Sequence, residues 1–136
     1  MYEVFEHTAD LGIRVASDSF VGLLTEAAVG LTSVLVDDPA SVRSTRQIDV
    51  EIPGNDPEDL LVDWLAELLW RFSAEHMLFS RFEIIQHDDH ISAHIRGETF
   101  DGTRHRLDTE VKAITYHRLK VEHDTQGWRA EVIVDL

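Results

Sequence analysis

The stretch Glu110-Val111-Lys112-Ala113-Ile114-Thr115-Tyr116-His117 sets a carboxylate, a lysine, a phenol and an imidazole within eight residues of strand-like sequence. Glu110 and His117 could pass protons as base and acid. No serine nucleophile elbow and no glycine-rich phosphate loop accompanies them, which weighs against a self-sufficient enzyme. Lys112 is one of only two lysines, beside ten arginines. A lysine inside such a run could engage an anionic group on a ligand or partner. The plainer account is an edge lysine that discourages strand pairing, or an ion pair with Glu110.

Asp10, Asp63 and Asp135 could bind a hard cation, because Ca²⁺ and Mg²⁺ take carboxylate and carbonyl oxygens. Asp135 is followed by Leu136, whose carbonyl lies beside it. Spacing alone does not separate these from solvated surface acids. His7, His105 and His117 could form a three-imidazole zinc site with an open position, although nothing in their spacing requires one. The His87-Asp88-Asp89-His90 tip reads as a solvated turn rather than a metal site.

These side chains must be positioned by a chain of 136 residues, enough for one domain with a real core, spanning 1–136. The net charge of −14 argues against direct clamping of nucleic acid, which needs Lys and Arg at phosphates. An acidic surface suits a cation or a basic partner. Abundant Asp with scarce Lys also fits high-salt adaptation or a base-composition bias. There is no cysteine, so disulfides and thiolate metal sites are excluded and a reducing cytoplasm is the expected compartment. The N-terminal residues lack the basic and apolar regions of a secretion signal, and no apolar run has the ~20 residues of a membrane span.

Residues 2–6 and 13–16 read as strands, and Ser17-Asp18-Ser19 offers N-caps. Phe20, Leu23, Leu24, Ala27, Ala28, Leu31, Val34 and Leu35 recur at helical spacing until Asp37-Asp38-Pro39. Residues 47–52 alternate as a half-buried strand. Asp56-Pro57-Glu58-Asp59 starts a second helix, with an N-cap, proline at N1 and acids at the positive dipole end. Leu60, Leu61, Trp64, Leu65, Leu68, Leu69 and Phe72 line its inner face. Asp63, Glu67 and Trp70 fall outside, where Trp70 is either tucked against a loop or a partner contact. Residues 78–86 and 90–96 predict a hairpin, and 97–106 a polar, mobile loop. Ile114 and Tyr116 share one parity while Leu119 and Val121 share the other, so a bulge or bend near His117 is expected. A last strand covers 128–135. This order favours an α+β fold with a largely antiparallel or mixed sheet and two helices.

Several blocks together resemble the archease family. They are His7-Thr8-Ala9-Asp10 with Gly12, Asp59-Leu60-Leu61-Val62-Asp63-Trp64-Leu65 with Glu67-Leu68-Leu69, the stretch 110–117, Gly127-Trp128 with Ala130, and Val132-Ile133-Val134-Asp135-Leu136. The resemblance spans the chain and implies an α+β domain with a strand-helix-strand-strand module. It implies an accessory protein, not an enzyme, that promotes guanylylation and repeated turnover of the RtcB-type tRNA-splicing ligase and broadens its nucleotide use. RNA would be met only through the ligase, and no membrane is involved. The family's divalent cation, calcium with Mg²⁺ or Mn²⁺ as alternatives, maps onto Asp10, Asp135 and the carbonyl of Leu136. Its functionally important lysine maps onto Lys112. No departure occurs at these positions, and 86–108 matches no family motif. Two other readings are a metal-dependent hydrolase using Asp10, Asp135 and the histidines, and a metal-independent interaction module.

Overall fold

The computed structural model describes residues 1–7 and 10–136, and of His7 the backbone only. In order, the elements are β1 (Tyr2–His7), β2 (Asp10–Ser17), α1 (Phe20–Leu35), β3 (Arg46–Pro53), α2 (Pro57–Glu75), β4 (Met77–Gln86), β5 (His90–Thr99), β6 (Ala113–Ile114), β7 (Lys120–Asp124) and β8 (Gly127–Asp135). The expected α+β class and the strand-helix-strand-strand module, β3-α2-β4-β5, are both present. Instead of one sheet there are two, and each strand pairing described is antiparallel. One sheet runs β1-β2-β8-β6 with β7 also on β8, and the other runs β3-β5-β4.

Each helix touches both sheets. That is why the apolar stripe of α1 is wide, with residues from Phe20 to Leu35 buried around most of its girth. Ser19 caps α1, its hydroxyl accepting the Gly22 amide at 3.0 Å. Asp56 caps α2 by accepting the Asp59 amide at 3.1 Å, with Pro57 in the first turn. Trp64 is fully buried between the helices, and its indole N–H donates to the Leu24 carbonyl at 2.9 Å. This satisfies the one polar atom of a large apolar side chain. On β5, a Cβ at Gly97 would collide with the Leu78 carbonyl beside the β4 irregularity at Phe79/Arg81.

The segment after β5 is anchored, which corrects the expectation of a mobile loop. Glu98 is buried and accepts the Arg43 amide at 2.6 Å and His105 Nε2 at 3.0 Å, while Arg104 pairs with its other oxygen. His105 Nδ1 accepts the Asp101 amide at 2.9 Å, so the ring proton sits on Nε2. Both ring nitrogens of His105 are thus engaged within the fold, and it is no metal ligand. Beyond it, the amides of Asp108 and Thr109 donate to the Leu35 and Val34 carbonyls at 2.9 and 3.0 Å. These carbonyls end α1 and would otherwise lack partners. The polar composition of 97–106 therefore serves a buried ionic cluster, and that cluster carries the chain to Lys112.

Burial alone would raise the Glu98 pKa, but Arg104, the Arg43 amide and His105 outweigh it and lower it from its ordinary 4.5. A depressed carboxylate contributes stability that is full above about pH 4.5 and is lost as pH falls through the lower folded value. Glu98→Gln should lose about 2 kcal/mol at pH 7 and show a flatter acid limb. Urea unfolding between pH 3 and 7, roughly the range over which such a group titrates, checks both.

Candidate functional site

The two ends of the chain meet across the β2–β8 ladder. Its register runs from Ser17↔Trp128 to Leu11↔Val134. Asp10 and Asp135 each stand one residue beyond its last pair, at the same end of the sheet. On the other side of β8, Ala113 pairs with Asp135 and Ile114 with Val134. The Lys112 amide donates to the Asp135 carbonyl at 2.8 Å. Sequence positions far apart thus share one row at the end of the sheet.

Side-chain alternation fixes which way each residue faces. Ile13, Val15, Val132 and Val134 enter the core, so Asp10, Gly12 and Arg14 share the outer face with Glu131, Ile133 and Asp135. Phe5 lies across Gly12, where any Cβ would run into its ring, and Arg14 stacks over Phe5 at 4.5 Å. Ile133, in the same row as Phe5 and Gly12, is buried despite its outward parity. The small Ala113 next to Asp135 leaves the carboxylate exposed. Leu136 packs partly against the core, on the parity opposite to Asp135.

Lys112 shares the parity of Ile114, which packs on the core side. It is exposed and lines a groove with Trp70 and Ser73 of α2. The structure therefore places Asp10 and Asp135 at the same end of the sheet, each next to the last β2–β8 pair. It joins Lys112 to Asp135 through the backbone and turns the lysine towards α2.

The expected bend near His117 is present: Arg118 has φ 52° and the chain turns there. The turn explains the change of parity, because β6 and β7 are two short strands laid along the same β8. Thr115 secures the first by donating its amide and hydroxyl to the Ile133 carbonyl at 3.1 and 2.8 Å. His117 and Glu110 are both exposed. The Tyr116 hydroxyl donates to Asp59 at 3.0 Å. That bond, with Asp59, Asp63 and Asp56 around it, raises the phenol pKa. Burial, then repulsion from Asp59, raises that of Asp63.

For a hard cation, Asp10, Asp135 and the Leu136 carbonyl form an all-oxygen donor set, which is the right chemistry. Among the described residues, no cluster of three or more His, Cys, Asp or Glu side chains could hold a metal. Any ion here would complete its coordination with water or a partner's oxygens. The three-histidine alternative loses His105 to Glu98, and the His7 side chain lies outside the described residues, as do Thr8 and Ala9. At the 87–90 tip, the two imidazoles stack at 4.2 Å, with His90 on Asp89 and His87 on Ser92.

Fold and site together define a small two-sheet α+β domain with two aspartates, Asp10 and Asp135, at one sheet end. The chain belongs to the archease family: its residues 2–136 match the Archease protein family (MTH1598/TM1083). It is 41% identical over 139 residues to the archease of Methanopyrus kandleri, covering 99% of both chains. It is 36% identical over 140 residues to that of Pyrococcus furiosus, covering 99% of this chain and 98% of the relative. The solution structure of Methanobacterium thermoautotrophicum protein 1598 superposes with TM-score 0.84 at 32% identity, over 99% and 98% of the two chains. A Thermotoga maritima structure, described as an archease and possible chaperone, shares the fold with TM-score 0.70 at 23% identity, over 100% and 98%. No helix among the described residues is long and apolar enough to cross a membrane.

Asp63 lies beyond the first turn of α2, where the helix dipole no longer rewards a carboxylate. Its raised pKa means that the folded chain binds the proton more tightly, so its charge costs stability above that pKa. Asp63→Asn should hold or raise stability at pH 7 by a few tenths of a kcal/mol, roughly the scale of a surface change. Thermal unfolding at pH 7 checks the sign.

Proposed function

We propose that this protein activates an RtcB-type tRNA-splicing ligase, promoting its guanylylation and repeated turnover and broadening its nucleotide use. The observation that supports this reading is the β2–β8 register, which ends at Leu11↔Val134 and so leaves Asp10 and Asp135 at one end of the sheet, with the Lys112 amide bonded to the Asp135 carbonyl. Family membership supplies the context. The lack of a nucleophile elbow or phosphate loop in the sequence agrees with action through another protein.

In this reading Asp10, Asp135 and the Leu136 carbonyl hold a divalent cation, calcium or else magnesium or manganese. When bound, such an ion offsets charge on phosphate oxygens. The paired carboxylates keep that charge at the end of a rigid sheet. The exposed Lys112 ammonium engages an anionic group at the ligase's nucleotide site. The acidic surface favours approach to a basic RNA enzyme and discourages direct hold on RNA. The protein then works in the cytoplasm, where the ligase joins tRNA halves.

A multiple-turnover RNA-joining assay with the cognate ligase tests the reading. Folded Asp10→Ala and Lys112→Ala variants should bring joining down to nearly the rate of ligase alone. Wild-type stimulation by both variants would contradict the assignment. Substrate turnover by this protein alone with Mg²⁺ or Mn²⁺ would favour a hydrolase instead.

A further inference from the structure

Trp70 exposes 53% of its surface on the outer face of α2. It does not tuck under a loop. With Ala66, Leu69 and Ser73 of α2, and Lys112 and Ile114 of the facing arm, it walls a groove of about 360 Å³. Small residues leave room beside the indole, over which the Arg71 guanidinium lies at 5.2 Å, and the groove is a largely apolar seat edged by Lys112.

The arm from Lys112 to Tyr116 continues past the groove's lining, to where the Tyr116 hydroxyl donates to Asp59 on α2. Tyr116 is itself 56% exposed. Asp56, Asp59 and Asp63 all bear on its hydroxyl, and the Asp59 charge bears on Asp63. Asp56 and Asp59 serve the helix N-terminus. Asp63 has no such duty, yet it stands on the same face one turn further along, in line with Ala66 and Trp70. One end of the groove is thus aromatic, with Lys112 in its wall and Arg71 over the indole, and beyond the other lie Asp59 and Asp63, for which no ion pair occurs among the described residues.

That pattern discriminates between occupants. A nucleic acid backbone would be repelled by Asp59 and Asp63. A second copy docking by the same face would set those carboxylates against their own equivalents. A segment carrying an arginine or lysine a few residues from an apolar side chain satisfies both ends.

We propose that the α2–β6 groove docks a basic segment of the partner ligase, with an apolar side chain against Trp70 and a cation at Asp59–Asp63. This rests on the reading of the protein as a ligase activator and separates docking from activation. The groove supplies affinity, and the end of the sheet with Lys112 supplies stimulation. Lys112 belongs to both, since it borders the groove and is bonded to Asp135. The aromatic anchor governs how long the complex lasts, and the carboxylates govern how fast it forms and how it responds to salt.

Isothermal titration of the purified cognate ligase, at low and high salt, tests this with the full chain. Trp70→Ala and Asp63→Asn should each weaken binding about tenfold, and Asp63→Asn should flatten the salt dependence. Ile85→Ala, on the exposed face of β4, should bind as wild type. Joining at saturating Trp70→Ala protein should recover the wild-type maximum, whereas added Lys112→Ala protein should not restore it. If wild type binds and both groove variants match it, the docking site is wrong. Ligase affinity untouched by Trp70→Ala, with self-association in sedimentation lost by that variant, overturns it in favour of a second copy. If wild type does not bind the ligase, the activator reading fails and this docking site falls with it.

Discussion

The antiparallel ladder between β2 and β8 is the constraint on which the rest of the molecule depends. It joins the second strand to the last, so this sheet cannot form until β8 is present. Its register is fixed by alternation, since a slip of one residue would turn Ile13, Val15, Val132 and Val134 out of the core. The same register leaves Asp10 and Asp135 just beyond its last pair, at one end of the sheet. The core that drives folding and the carboxylate pair that gives the surface its chemistry are thus two faces of one pairing.

Asp135 stands exposed at the end of the sheet, where solvent screens its charge. Ala113 on the neighbouring strand and the Phe5–Gly12 contact one row in keep the surroundings small or filled. On the other side of the same strands, Lys112 and Ile114 face α2. The protein therefore has a hard, acidic sheet end and an aromatic groove separated by the thickness of one sheet, with the arm 112–116 belonging to both. The buried Glu98 cluster and the contacts of 106–109 with the end of α1 place that arm.

Much of this was legible in the sequence. Periodicity located both helices and the principal strands, and the acid–proline start of α2 appears as expected. The change of parity between Tyr116 and Leu119 foretold the turn that the left-handed Arg118 provides. What was not legible lies in long-range pairing. Local pattern could not reveal that β6 and β7 share β8, that the strands divide into two sheets, or that Ile133 is covered. The loop at 97–106 misled because a buried ionic cluster and a solvated turn have the same composition. Only Glu98 meeting Arg43 and His105 separates them. Asp10, Asp135 and Lys112 were singled out by family resemblance, and the placing of Asp10 and Asp135 at one end of the sheet, with Lys112 bonded to the Asp135 carbonyl, emerged from the fold.

Direct calcium titration by calorimetry tests the central claim that the β2–β8 pairing builds a cation site. Wild type should bind one ion, with Asp10→Asn and Asp135→Asn both abolishing the heat while retaining their circular dichroism spectra. Wild-type calcium binding in those folded variants, or no binding of calcium, magnesium or manganese by the wild type, would contradict it.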